Sequence, residues 1–204
     1  MTKIKFCGLT RDEDIVYANE LLPDYIGFVF VPQSRRYISP EKARILKKKL
    51  DVNIFTVGVF SNENPEIIGQ LLNDGTLDMA QLHGDENAEY IKCLRTFTNK
   101  PLMQAFKITR ANDIELAKNS IADLVLLDAS EGGSGKVFDW TLIKNFSRPF
   151  FLAGGLNIHN ATDAVTELQP YAVDVSSGIE SNGYKDKVKM HEFICAIVHE
   201  KGEK

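Results

Sequence analysis

Short apolar segments recur at nearly constant spacing along this 204-residue chain, and this spacing restricts its fold more than any other feature. Between the segments lie amphipathic stretches that favour helix, several of which begin with Ser, Asp or Asn. The segments end at Cys7, Phe30, Val59, His83, Phe106, Asp128, Gly154 and Ser177, with 22 to 29 residues from one end to the next. Their nearly continuous hydrophobicity is typical of parallel strands covered by helices. The pattern predicts a single (β/α)8 barrel over residues 1–204, with an open doubly wound sheet as the alternative.

The composition argues against several classes of function. The formal net charge is −4, and the one dense basic run, 47–49, lies in a predicted helix, so a nucleic-acid-binding face is not indicated. No apolar stretch reaches membrane-spanning length, and the N-terminal segment lacks the apolar core of a signal peptide. The three cysteines are widely spaced and form no CxxC pair, which indicates neither a disulfide framework nor a metal site. We therefore expect a cytoplasmic protein with reduced thiols, no membrane contact and no nucleic-acid partner.

The predicted fold also indicates where a functional site would lie. In (β/α)8 barrels the active site is built at the carboxyl ends of the strands. Among the predicted strand ends, Cys7, His83 and Asp128 carry acid–base or nucleophilic chemistry. Each also has a structural interpretation: a small buried apolar residue for Cys7, a structural histidine for His83, and a helix cap or ion-pair partner for Asp128. The cap interpretation is the weaker one, because the next predicted helix begins only near Asp139.

Glycine-rich turns follow two consecutive predicted strands, in AGGLN (153–157) and SSGIE (176–180). Backbone N–H groups in these turns could approach an anion closely, at Gly154, Gly155, Ser177 and Gly178. The loops after strands 7 and 8 are also where this fold commonly binds phosphate. The alternative is that these glycines only form tight turns. Two such loops on neighbouring strands favour phosphate binding.

Two further loops contain candidate site residues. The segment EGGSGK (131–136) lacks the spacing of a nucleotide-binding P-loop, and we interpret it as a flap that closes over the site through Gly132, Gly133 and Gly135. Arg36 lies in the loop after strand 2. A loop arginine is solvated by default, but in a pocket for an anionic substrate it can bind a carboxylate through two hydrogen bonds.

Taken in order, several of these segments resemble the phosphoribosylanthranilate isomerase family. The matching segments are KIKFCGLT (3–10), GFVF with SRRYIS (27–39), VGVF (57–60), QLHGDE (81–86), LLDA with GGSGKVFDW (126–140), LAGGLN (152–157) and VDVSSGIE with KD (173–186). The first, fifth and last together are highly specific. The chain departs from the family at one position, where Arg35 replaces the proline that usually precedes the arginine of the second segment.

This resemblance implies a small-molecule substrate and a reaction without metal or organic cofactor. The reaction is the Amadori rearrangement of N-(5-phosphoribosyl)anthranilate to 1-(2-carboxyphenylamino)-1-deoxyribulose 5-phosphate. Asp128 matches the general acid that protonates the furanose ring oxygen, and Cys7 matches the general base that removes the C2′ proton. Arg36 matches the residue that pairs with the anthranilate carboxylate. The glycine loops after strands 7 and 8 match the phosphate site.

The two catalytic roles require opposite protonation states. Asp128 must carry a proton, and burial at the end of the apolar LVLLD strand would raise its pKa in that direction. Cys7 must lose its proton, which a nearby cation favours. Lys5 shares a strand face with Cys7 by the two-residue period, so it is the candidate cation.

Three other kinds of protein share the predicted fold. A metal-dependent epimerase would need several converging His and Asp ligands, and a Schiff-base aldolase would need a lysine at a strand end. Only His83 and Asp128 fit the first requirement, and no predicted strand ends in lysine. A non-catalytic sugar-phosphate-binding barrel would be expected to lack Cys7 or Asp128. The sequence does not indicate an oligomeric state.

Overall fold

The computed structural model describes residues 1–129, 140–144 and 146–198, in which strands and helices alternate. Eight parallel strands, paired in sequence order, close into a barrel. The strands are β1 (Lys3–Cys7), β2 (Tyr25–Val29), β3 (Phe55–Phe60), β4 (Met79–Leu82), β5 (Leu102–Lys107), β6 (Leu124–Asp128), β7 (Phe150–Ala153) and β8 (Ala172–Val175). Because β8 pairs with β1, the open sheet is excluded and the predicted (β/α)8 class is confirmed.

The helices form where the sequence places their starting signals. Ser39 and Asn64 each accept a hydrogen bond from the first turn of the following helix, and proline occupies the next position in both. The helices are α1 (Asp12–Leu21), α2 (Pro40–Lys47), α3 (Pro65–Asn73), α4 (Ala88–Arg95), α5 (Ala111–Lys118), α6 (Ala161–Leu168) and α7 (Lys187–Val198). Within the described residues, no helix is long and apolar enough to cross a bilayer.

Two connections differ from the sequence-based prediction. Between β6 and β7 the described residues form one 3-10 turn, Trp140–Leu142, where a longer helix was expected. Phe146 packs edge-to-face on Phe150, so the chain already turns towards β7 at this point. After β8, a 3-10 turn (Ser177–Ile179) leads into a short hairpin, β9 (Glu180–Ser181) and β10 (Tyr184–Lys185), that the hydrophobic pattern did not indicate.

Two apolar clusters form most of the core of the described residues, as expected for a barrel wrapped by helices. A large apolar cluster fills the space between strands and helices, with Phe6 and Phe28 fully buried in it. A second cluster fills the barrel interior around Tyr25, Met103 and Phe151. Burial of this apolar surface is the main force that stabilises the barrel.

Three aspartates satisfy backbone N–H groups at the amino ends of the strands. Each directly precedes an even-numbered strand and accepts a hydrogen bond from the neighbouring odd-numbered strand. The pairs are Asp24 with Ile4, Asp78 with Thr56 and Asp123 with Leu102, at 2.9, 2.8 and 2.7 Å. The carboxylate supplies an acceptor where the ladder of strand hydrogen bonds begins. Because the active site of such a barrel lies at the opposite, carboxyl ends of the strands, we expect these side chains to affect folding and not function.

We predict that Asp78→Ala lowers the free energy of unfolding by about 2 kcal/mol while kcat and KM stay unchanged. Asp78 also accepts hydrogen bonds from the Thr56 hydroxyl at 2.9 Å and the Lys47 ammonium at 2.7 Å, and all three would be lost. Urea denaturation measures the change, with Glu167→Ala, at an exposed position on α6, as the control.

The effect of Asp78→Ala should depend on pH. Burial alone would raise the pKa of Asp78, but hydrogen bonds from Lys47 and Thr56 outweigh it and hold the pKa below its ordinary value. A carboxyl with a lowered pKa stabilises the fold above its unfolded pKa of about 3.9, and this contribution is lost as the pH falls through the lowered value. The stability difference between wild type and variant should therefore shrink below about pH 4. A constant difference across that range would contradict this account.

Candidate active site

A cavity of about 510 Å³ opens at the carboxyl ends of the strands. Seven of the predicted site residues line it: Cys7, Arg36, His83, Asp128, Gly154, Gly155 and Ser177. Gly178 packs beside the cavity without lining it. The predicted flap residues Gly132, Gly133 and Gly135 lie outside the described residues. The tertiary structure thus brings together side chains from β1, β6 and several βα loops that are far apart in the sequence.

Cys7 is a buried, free thiol at the end of β1. A glycine on the neighbouring strand makes room for it: a Cβ at Gly27 would lie 2.8 Å from the Cys7 Sγ and 3.3 Å from the Lys5 Nζ. Gly27 lies inside the strand YIGFV, where glycine otherwise weakens the sheet. A glycine inside a strand is the signal in the sequence from which this close approach could have been predicted.

The prediction that Lys5 lowers the pKa of Cys7 is only partly correct. Burial raises the pKa of Cys7, and although Lys5 and Lys185 act in the opposite direction, the pKa stays above its ordinary value. The Lys5 ammonium donates to both Asp174 carboxylate oxygens at 2.9 Å, so its charge is largely compensated. The surroundings of Cys7 therefore favour the protonated thiol at neutral pH.

A chain of hydrogen bonds crosses the barrel from Lys5 to His83. The Lys5 ammonium donates to Gln81 Oε1 at 3.0 Å, and Gln81 Nε2 lies 2.8 Å from His83 Nδ1. An ammonium can only donate, which fixes the Gln81 carbonyl towards Lys5 and its amide N–H towards His83. His83 Nδ1 must then accept, so the ring proton lies on Nε2. This nitrogen lies 3.6 Å from Asp128 Oδ2.

Arg36 lines the cavity with its side chain 21% exposed, so it is not the solvated loop residue of the default interpretation. Its guanidinium donates to Glu180 Oε1 from Nε and to Glu180 Oε2 from Nη2, at 2.6 and 3.0 Å. Sequence reasoning singled out neither Glu180 nor Lys185, which donates to the same carboxylate at 2.8 Å. Glu180 lies in the matched segment VDVSSGIE, but glutamate side chains are usually exposed, so the sequence alone did not point to it.

The loop after β7 has the backbone conformation that the glycines predicted. Gly154 and Gly155 adopt φ values of 102° and 66°, a region that side chains with a Cβ rarely enter. The loop after β8 packs directly on it, because a Cβ at Gly178 would lie 2.1 Å from the Leu156 carbonyl oxygen. The two loops therefore form one surface at the rim of the cavity.

The expectation that no strand ends in lysine was wrong. Strand β5 ends at Lys107, whereas the sequence analysis placed its end at Phe106 and found no lysine at any strand end. The apolar run stops at Phe106, but backbone pairing with Asp128 extends the strand by one residue. Lys107 is exposed and does not line the cavity, so it gives no support to a Schiff-base mechanism.

We predict that His83 carries its proton on Nε2, and that Gln81→Glu moves it to Nδ1, because a carboxylate accepts where the amide N–H donated. Long-range ¹H–¹⁵N correlation spectra distinguish the two tautomers, with His83→Gln used to assign the signal. The exposed His159 provides a signal that should not change. A wild-type His83 already protonated on Nδ1 would contradict the hydrogen-bond directions given above.

Residues 4–196 match the model of the family described as N-(5'phosphoribosyl)anthranilate (PRA) isomerase. Among curated relatives, the N-(5'-phosphoribosyl)anthranilate isomerase of Clostridium acetobutylicum is 43% identical, with 97% of this chain and 98% of the relative covered. The enzyme of the same name from Thermoanaerobacter sp. strain X514 is 46% identical over 95% of this chain and 97% of its own length.

Solved structures indicate membership of the same family. The crystal structure of phosphoribosyl anthranilate isomerase from Thermotoga maritima superposes with a TM-score of 0.88 at 40% identity, covering 97% of this chain and 98% of that one. A second structure, at a TM-score of 0.86 and 38% identity over the same shares, is an isomerase in complex with reduced 1-(o-carboxyphenylamino)-1-deoxyribulose 5-phosphate. The resemblance found in the sequence segments is confirmed: this chain belongs to the N-(5'-phosphoribosyl)anthranilate isomerase family.

Proposed function

We propose that the cavity catalyses the Amadori rearrangement of N-(5-phosphoribosyl)anthranilate to 1-(2-carboxyphenylamino)-1-deoxyribulose 5-phosphate, a step of tryptophan biosynthesis. The observation that carries the proposal is the convergence of Cys7, Asp128 and Arg36 on one cavity rimmed by the glycine loops after β7 and β8. Family membership and the solved relative that holds the reduced product support the same substrate class.

The reaction needs one acid and one base. Asp128 gives its proton to the furanose ring oxygen, the C1′–O bond breaks, and the nitrogen lone pair forms the iminium ion. Cys7 then removes the C2′ proton, and the electrons of that bond form the C1′–C2′ double bond of an enolamine. The enolamine tautomerises to the ketone. Positioned proton transfer of this kind typically contributes 10²–10⁴-fold to the rate.

The raised pKa of Cys7 fits a base that acts only after the sugar ring has opened. Burial by itself disfavours the thiolate of Cys7. The iminium ion places a positive charge one bond from the carbon that loses its proton, which both acidifies that carbon and favours an adjacent thiolate. The substrate thus supplies the compensating charge that Lys5, paired with Asp174, does not.

His83 supports the acid step. Its Nε2–H faces the Asp128 carboxyl and can donate to the carboxylate that forms when Asp128 gives up its proton. A neutral ring is suited to this role, because an imidazolium would repel the iminium ion formed in the same step.

Two anionic groups of the substrate determine its orientation. Arg36 pairs with the anthranilate carboxylate, and backbone N–H groups of the loops containing Gly154, Gly155, Ser177 and Gly178 bind the phosphate. The shared surface of these two loops and the positive φ angles of Gly154 and Gly155 support the phosphate assignment. We further propose that the enzyme is cytoplasmic, which fits its three free thiols, and that residues 1–204 form a single domain.

Replacement of either catalytic side chain should abolish most turnover. We expect Cys7→Ala and Asp128→Asn each to lower kcat by about 10²–10⁴-fold, because each removes one proton-transfer group. Loss of the anthranilate-type fluorescence of freshly prepared substrate measures turnover, and circular dichroism checks the fold. Near-normal turnover in either variant would overturn that residue's assignment. A wild type that binds phosphate analogues but shows only the spontaneous rate would favour a non-catalytic binding barrel.

The phosphate assignment has its own test in Gly178→Ala. The added Cβ meets the Leu156 carbonyl, so the loops after β7 and β8 must separate and their N–H groups must move. We expect KM to rise roughly 10-fold, the equivalent of one lost hydrogen bond to a charged group, with a smaller change in kcat. Inorganic phosphate, used as a competitive inhibitor, should lose affinity in parallel. An unchanged inhibition constant would place the phosphate elsewhere.

A further inference from the structure

A buried carboxylate outside the proposed proton-transfer pair holds a cluster of cations at the edge of the cavity. Glu180 begins the hairpin after β8, and its side chain is 5% exposed. It accepts hydrogen bonds from Arg35 at 2.7 Å, Arg36 at 2.6 and 3.0 Å, and Lys185 at 2.8 Å. Three positive side chains surround one negative side chain, so the cluster has a net positive charge.

Two contacts fix the Arg36 side chain. Its Nε and Nη2 bind the two oxygens of Glu180 in a bidentate arrangement. Its aliphatic stem lies on Gly8, where a Cβ would come within 2.3 Å of the Arg36 Cδ. Gly8 has a φ of 83°, so the chain needs glycine here both for conformation and for space. The N–H groups of Arg36 that do not face Glu180 remain for a ligand in the cavity that Arg36 lines.

Lys185 anchors the carboxylate itself. Its side chain is 1% exposed, and its ammonium also donates to the Ser176 carbonyl at 2.9 Å. Burial alone would raise the pKa of Glu180, but hydrogen bonds from Arg36 and Lys185 outweigh it and keep the pKa below its ordinary value. Glu180 is therefore an ionised acceptor, held in place before any substrate arrives.

We propose that Glu180 is a positioning residue that orients Arg36 towards the carboxylate of the substrate and so makes the cavity selective for N-(2-carboxyphenyl) aminoaldoses. This inference rests on the proposed function. A free arginine side chain loses rotamer freedom when it binds, whereas Arg36 is already ordered by Glu180 and Gly8. The net positive charge of the cluster still attracts a second carboxylate.

The test compares two substrates of the Glu180→Gln variant: phosphoribosylanthranilate, and the phosphoribosyl derivative of aniline, which lacks the carboxylate. We expect kcat/KM for the first to fall about 10- to 100-fold, mainly through KM, which corresponds to the loss of one or two charge-assisted hydrogen bonds. The aniline derivative should change by less than about 3-fold, because Arg36 does not contact it. Glu192→Gln, at an exposed position on α7, is the matched control.

A double-mutant cycle with Arg36→Gln separates positioning from general damage. In the Arg36→Gln background, Glu180→Gln should cause no further selective loss, because its effect passes through Arg36. Should Glu180→Gln not fold, Glu180→Asp withdraws the carboxylate by one methylene and should give the same selective loss.

Two results would overturn the proposal. Equal losses for both substrates would indicate general distortion, and tighter binding of phosphoribosylanthranilate would indicate that Glu180 competes with the substrate carboxylate for Arg36. Failure of the proposed function is a separate outcome, since the wild type itself would then show no turnover of phosphoribosylanthranilate.

Discussion

The buried ion pair between Lys5 and Asp174 is the interaction on which the geometry of the cavity depends. A charged group in a barrel interior is costly unless it is paired and hydrogen-bonded, and Lys5 meets this condition through Asp174 and Gln81. Burial would lower the pKa of Lys5, but the Asp174 carboxylate outweighs it and raises the pKa. Because the Lys5 ammonium can only donate, it fixes the direction of two hydrogen bonds, from Lys5 to Gln81 and from Gln81 to His83. Removing one partner would leave the other charge uncompensated.

The two ends of the barrel use carboxylates for different purposes. At the amino ends of the strands, Asp24, Asp78 and Asp123 accept backbone N–H groups and tie neighbouring strands together. At the carboxyl ends, Asp128 and Glu180 face the cavity or its cations. This division fits a closed parallel barrel. All strands begin at one face of such a barrel and end at the other, and the active site lies at the face where they end.

Much of the fold and part of the site could be predicted from the sequence, for identifiable reasons. Parallel strands buried on both faces produce continuous apolar runs, so strand ends such as Cys7 and Asp128 were visible as the places where each run stops. The end of β5 was missed because Lys107 pairs through its backbone, which hydrophobicity does not report. The roles of Gln81 and Glu180 were missed because each depends on partners from other strands and loops.

The sequence by itself determined the barrel, the strand ends that bear reactive side chains and the glycines of the loops after β7 and β8, because these follow from local periodicity and backbone freedom. Only the tertiary structure decided how the charges are compensated. Lys5 pairs with Asp174 and Arg36 with Glu180 across 169 and 144 residues of chain. Burial then raises the pKa of Cys7 in spite of the lysine beside it. Electrostatic effects of this kind depend on distance and desolvation in three dimensions, which no local pattern encodes.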